Sequence, residues 1–188
     1  MRALFLVSVA FALTACASSP QVQYFVLNPA VQAPSPLKSE APSIAVGPVN
    51  VPELIDQPRI VLQLSGNQVA LQEYQRWGSP LKGEIARVIA ANLQQTLGTA
   101  RVWPYLQMPV PEADVQVLID VRRFESRLGE GVDVEIGWAL KRQGAIVRSG
   151  QSRASESTQG TSYNDLAAAH SRALARISRE IAGVIQGG

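Results

Sequence analysis

Val115-Gln116-Val117-Leu118-Ile119-Asp120-Val121 and Val132-Asp133-Val134-Glu135-Ile136-Gly137-Trp138-Ala139-Leu140-Lys141 are the stretches whose reading decides the fold. In the first, Val115, Val117, Ile119 and Val121 alternate with mostly polar neighbours. In the second, Val132, Val134, Ile136, Trp138 and Leu140 alternate with Asp133, Glu135, Gly137, Ala139 and Lys141. A period of two over this length describes long strands of a sheet with one buried face. Gly129-Glu130-Gly131 supplies a turn between them, and Gln143-Gly144 a turn into a third, more polar run from Ala145 to Ser157. The pattern predicts an antiparallel meander.

Two helical patterns provide the layer that must cover this sheet. From Pro80 to Leu97, Leu81, Ile85, Val88, Ile89, Leu93 and Leu97 recur at steps of three and four. Ser79 stands as the expected N-cap, Pro80 as the first helical residue and Gly98 as the left-handed terminator. From Tyr163 to Gln186, Leu166, Ala169, Ala173, Leu174, Ile177, Ile181, Val184 and Ile185 share one face. Ser162 and Asp165 form the spacing of a capping box ahead of it. Arg172, Arg176 and Arg179 fall on the wet side of the same helix.

Shorter strand-like runs precede the first helix: Tyr24 to Leu27, Ser43 to Val49, Arg59 to Ser65 and Gln68 to Gln72, with Gly66-Asn67 as a hairpin connection between the last two. Arg101-Val102-Trp103 is a further short run closed by Pro104. Asn28 to Pro42 contains Pro29, Pro34, Pro36 and Pro42 and reads as an extended connection. The expected architecture is a single α+β domain over residues 24–188, a largely antiparallel or mixed sheet with two amphipathic helices packed on one face.

The N-terminus has a different character. Met1-Arg2 gives a positive start, and Ala3 to Leu13 is apolar or small apart from Ser8. That length suits the apolar core of a secretory signal and is too short to span a bilayer. Leu13-Thr14-Ala15-Cys16 then resembles the lipobox of bacterial lipoproteins. The resemblance implies a cleaved leader over residues 1–15 and acylation of Cys16, the chain's only cysteine. Two or more acyl chains give stable anchoring. Residues 16–23 form a short tether whose seven residues after the cysteine reach about 25 Å at most. Ala17 follows the cysteine where an aspartate would signal inner-membrane retention in enterobacteria, which favours the periplasmic face of the outer membrane.

Composition narrows the function classes. The 188 residues carry 17 Lys and Arg against 15 Asp and Glu, a net charge of +2, with no basic arm or cluster, which argues against nucleic-acid binding. A single histidine, His170, with Cys16 committed to lipid, leaves too few ligands for the usual zinc sites; no metal or cofactor is expected. His170 falls near the edge of the apolar stripe of the last helix and reads as a structural histidine. Asp133 and Glu135 share a strand face but project from its wet side. Gly129-Glu130-Gly131 precedes a strand, not the helix start that a phosphate loop needs, and no Gly-x-Ser-x-Gly elbow occurs. No catalytic constellation emerges.

One ordered set of segments carries a family resemblance: Tyr24-Phe25-Val26-Leu27, Val46 to Val49, the loop Val51-Pro52-Glu53-Leu54-Ile55-Asp56-Gln57-Pro58-Arg59, Trp77-Gly78-Ser79-Pro80-Leu81, Asp114 to Val117 and Arg123 to Glu125. Together with Cys16, this set resembles the ABC-type transport auxiliary lipoproteins, which include the paraquat-inducible protein C group and membrane integrity-associated transporter subunits. The resemblance implies a non-catalytic outer-membrane lipoprotein of a transenvelope lipid-transport system. Its partners would be a periplasmic MCE-domain protein and an inner-membrane transporter complex, with the lipoprotein itself a homo-oligomer. The alternative is an outer-membrane lipoprotein that activates a peptidoglycan synthase, against which the short tether argues.

The family hands over no functional residues. Apolar and aromatic side chains on loops mark contact surfaces, so the expected docking residues are Leu54, Ile55 and Asp56 in the proline-bounded loop, with Tyr74, Arg76 and Trp77 ahead of the first helix. The competing reading has Leu54 plugging the edge of the core and Trp77 packing over the helix start.

Overall fold

A computed structural model describes residues 20–30, 41–105 and 113–187. The leader, Cys16 and much of the expected tether and proline-rich connection lie outside the described residues. Along the chain run β1 (Gln23–Phe25), β2 (Ile44–Asn50), a 3-10 turn (Glu53–Ile55), β3 (Arg59–Gln63), β4 (Val69–Trp77), α1 (Leu81–Leu97), β5 (Val102–Pro104), β6 (Val115–Arg127), β7 (Gly131–Arg142), β8 (Ala145–Ser157) and α2 (Tyr163–Gln186).

The long strands are where period two places them. β6, β7 and β8 form an antiparallel meander, and β2 runs parallel to both β6 and β5, giving the order β5-β2-β6-β7-β8. Val115, Val117, Ile119, Val121, Val132, Val134, Ile136 and Leu140 are buried, whereas Trp138 is half-buried. Its indole lies along β8 and donates to Ser152 Oγ at 3.1 Å. At Gly150, the residue paired with Trp138, an added Cβ would overlap that indole. The turn into β8 has Gln143 at φ 48° and Gly144 at φ 82°, the two positive values that a tight hairpin turn requires.

Instead of one sheet there are two. β1, β4 and β3 form a separate three-stranded sheet in the order β1-β4-β3, with β1 parallel and β3 antiparallel to β4. β4 extends to Trp77, well past the expected end at Gln72. The run Gln72-Glu73-Tyr74-Gln75-Arg76 lacks alternation, but β1 pairs with residues 75–77 and β3 pairs on the other side, so tertiary pairing overrides a weak local pattern. β1 starts at Gln23, one residue into the stretch expected as tether.

Both helices cover one face of the larger sheet, α1 over β2 and β5, α2 over β7 and β8, and they pack on each other. Leu81, Ile85, Val88, Ile89, Leu93 and Leu97 of α1 and Leu166, Leu174, Ile177, Ile181 and Ile185 of α2 are buried. Each such side chain contributes roughly 1.5–3 kcal/mol of burial free energy. At the start of α1, Pro80 itself occupies the N-cap and Ser79 makes no capping bond, since Pro80 keeps an extended ψ of 126° and cannot serve as the first helical residue. Gly98 closes the helix in the left-handed conformation, and Ser162 and Asp165 form the complete capping box of α2.

After β1 the chain crosses the helix pair as a strap. The Leu27 amide donates to Glu84 Oε2 at 3.3 Å, and the Leu27 carbonyl accepts from Arg87 Nη2 at 2.5 Å. The Asn28 amide donates to Ser171 Oγ at 3.0 Å and the Ala30 amide to Asn92 Oδ1 at 2.8 Å. Glu84 and Asn92 are buried polar side chains on α1. They satisfy backbone groups that would otherwise be stranded beside the core.

Candidate partner-binding site

The proline-bounded loop is a single 3-10 turn. Ile55 and Asp56 amides both donate to the Pro52 carbonyl, at 3.0 and 3.2 Å. This winding sends consecutive side chains in opposite directions: Leu54 is 48 % exposed, whereas Ile55 enters the core at 9 %. Gln57 Nε2 fastens the turn from below by donating to the Leu54 carbonyl at 2.7 Å, and Arg59 Nε donates in turn to Gln57 Oε1 at 3.2 Å.

The second motif comes to meet the first. The Trp77 amide donates to the Pro58 carbonyl at 2.7 Å, and Lys82 Nζ in the first turn of α1 pairs with Asp56 at 2.6 Å. Between them lies a cleft of about 430 Å³, walled by Asp56, Gln57 and Pro58 on one side and by Trp77 to Leu81 on the other. The Gly78 amide donates to the Phe25 carbonyl at 2.7 Å, and a Cβ on Gly78 would sit 3.0 Å from Val26, so this segment is fastened to the end of β1. Pro58 and Pro80 give the walls apolar surface, Trp77 and Leu81 are almost wholly buried behind them, and Asp56 brings a partly exposed ion pair to Lys82. Such a cleft suits an apolar side chain or a short extended segment of a partner.

The expected docking residues therefore separate. Asp56 lines the cleft, and Leu54 stands exposed two residues before it in the turn. Tyr74, 39 % exposed, and Arg76 lie on β4 rather than on a loop, with Arg76 held 3.6 Å from Glu73. Ile55 and Trp77 are buried in the core: Ile55 because the turn winds it inward, Trp77 because it ends β4 against Phe124 and His170, at 5 % exposure. Core plugging, read for Leu54, belongs to its neighbour Ile55.

Trp77 belongs to a buried aromatic cluster that sequence reasoning did not find. His170 stacks on Phe124 and meets Trp77 edge-on with centroids 6.0 Å apart; Phe124 meets Trp77 at 6.1 Å. Ser126 Oγ lies 2.7 Å from His170 Nε2. That pair has the spacing of a nucleophile and its base, yet His170 is 0 % and Ser126 2 % exposed, and Nδ1 meets no carboxylate. Burial depresses the imidazole pKa to about 3. A sealed, neutral imidazole is a packing element, in line with the structural reading of His170.

The remaining acidic candidates are committed elsewhere. Asp133 accepts from the Ser155 hydroxyl and from Arg127, contacts that hold its carboxyl below the usual range. Glu135 pairs with Arg153 at 2.8 Å and accepts from Gln151. Among the described residues no group of His, Cys, Asp and Glu is placed to hold a metal ion, and no helix is long and apolar enough to cross a membrane.

Two solved structures share this architecture. One is protein XCC0632 from Xanthomonas campestris, with a TM-score of 0.68 at 21 % identity, covering 85 % of this chain and 93 % of that one. The other is an uncharacterized protein, with a TM-score of 0.70 at 22 % identity, covering 88 % and 99 %. At such identity the likeness establishes the fold alone. No curated protein matches the chain. The family model for the ABC-type transport auxiliary lipoprotein component matches residues 25–182, and the chain belongs to that family. The match runs from β1 into the last turns of α2, through both halves of the cleft.

Proposed function

We propose that this chain is a non-catalytic outer-membrane lipoprotein that joins the periplasmic conduit of an MCE and ABC-type lipid-transport system to the outer membrane. The leader over residues 1–15 is cleaved, Cys16 is acylated, and the domain that follows faces the periplasm on a short tether. It assembles as a homo-oligomer and receives the MCE-domain protein through the cleft beside Leu54 and Asp56.

The observation that carries this reading is the meeting of Asp56 to Pro58, at the end of the proline-bounded loop, with the Trp77–Leu81 segment around a surface cleft, beside the exposed Leu54. That the segments carrying the family resemblance meet at this cleft supports a binding role, and the nucleophile–base geometry described, Ser126 with His170, lies buried. Family membership supports an auxiliary role in transport.

Photo-crosslinking from position 54 in cells tests it. The expected product contains the MCE-domain protein and disappears with Leu54→Asp in a second, cleft-facing probe at Gln57. A product containing a peptidoglycan synthase, or undiminished capture in the Leu54→Asp protein, overturns the proposal.

A further inference from the structure

β1 has a sidedness that the core does not explain. Phe25 and Leu27 turn inward, Phe25 to the Tyr163 ring at 5.8 Å and Leu27 to full burial. Val22, Tyr24 and Val26 alternate with them and remain 37 %, 65 % and 49 % exposed. An apolar row on the free edge of a sheet is a surface that a water-facing protein ordinarily avoids.

The neighbours of Tyr24 give this face a specific composition. Tyr24 is in register with Arg76 on β4, and Arg76 with Arg59 on β3, so the three residues share the outward side of the small sheet. Glu73 lies 3.6 Å from Arg76 and 3.7 Å from Arg59, which leaves the trio with one net positive charge. Tyrosine beside valine and arginine is the chemistry of a membrane–water interface: the ring sits at headgroup depth and the guanidinium meets phosphate.

Geometry brings this face to the bilayer. From Cys16 to Val22 six residues span about 20 Å when fully extended. The first exposed residue of the row is thus closer in chain to the anchor than any other part of the fold. We propose that the outward face of the three-stranded sheet, Tyr24 and Val26 with Arg76 and Arg59, rests on the phospholipid surface that holds the acyl anchor. This rests on acylation of Cys16. It orients the domain: β1 and the outward face of the small sheet lie against lipid.

Because acylation occupies the only native thiol, one introduced cysteine carries an environment-sensitive fluorophore without competition. The acylated full-length protein with Tyr24→Cys is reconstituted in phosphatidylethanolamine–phosphatidylglycerol vesicles, with Ile146→Cys as the comparison, since Ile146 is similarly exposed at 63 % but belongs to the other sheet. On vesicles the probe at 24 is expected to shift to the blue and to be quenched severalfold more than the probe at 146 by lipids bearing nitroxide near the headgroup. Water-like emission at 24 in protein that floats with the vesicles overturns the inference. A blue shift already present without vesicles assigns the face to a second copy and also overturns it. Failure to float overturns the anchor itself and the inference with it.

Discussion

His170 lies flat on Phe124, with ring centroids 3.8 Å apart and planes within 8° of parallel. The stack binds the middle of α2 to β6, and Trp77 at the end of β4 meets both rings edge-on. One contact thus joins the larger sheet, the smaller sheet and a helix around an imidazole that must stay neutral.

That neutrality makes stability depend on pH. The folded imidazole titrates at about 3, the unfolded one near 6.5, so below pH 6.5 the unfolded chain binds a proton that the fold excludes. Stability present above pH 6.5 is lost as pH falls, by about 1.4 kcal/mol per unit once well below that value. The unfolding free energy from urea titration should fall by about 1.5–2 kcal/mol between pH 6.5 and 5, and His170→Phe should flatten the profile over that interval. The lowered carboxylates Asp114, Asp133 and Asp165 act in the same direction only at more acid pH.

Neighbouring positions in the proline-bounded loop should respond in opposite ways. Ile55→Asp places a carboxylate in the core and should cost about 3 kcal/mol or more. Leu54→Asp lies outside it and should change stability by less than about 0.5 kcal/mol. Thermal melts compare the two, with crosslinking yield reading function in the second.

The strap over the helices offers a test of the Glu84–Arg87 pair. Arg87→Met leaves Glu84, 8 % exposed in its side chain, without its cation and should cost about 2 kcal/mol. Amide exchange should accelerate first at Leu27 and Asn28. Combining Arg87→Met with Glu84→Gln should recover most of the loss.

Gly150→Val should displace the Trp138 indole from β8 at a cost of about 1–3 kcal/mol. The displacement breaks its bond to Ser152 and should shift tryptophan emission to the red. Gly83→Ala, where a Cβ meets nothing within 4 Å, should leave the emission unchanged and stabilise α1 by about 0.5–1 kcal/mol.

Elements specified by their own residues were legible. Ser162 and Asp165 cap α2, and its start and end coincide with the expected Tyr163 and Gln186. β8 likewise begins at Ala145 after the Gln143-Gly144 turn. What could not be read depends on partners distant in sequence. Tyr74 and Arg76 enter a strand because β1 and β3 flank them, and Ile55 and Trp77 turn inward because a turn and a sheet aim them there. The outward row of Val22, Tyr24 and Val26 did leave a signal, its alternation with Phe25 and Leu27, but the run is too short to separate from a tether without seeing β4 beside it.

The strap has a mechanical consequence. With the proposed anchor at Cys16, tension from the N-terminal side would enter the fold at Gln23 and run along β1, whose parallel pairing with β4 would be loaded in shear. Beyond it, Leu27 is gripped by Glu84 and Arg87 and Ala30 by Asn92, passing force into α1 and thence to the sheet beneath.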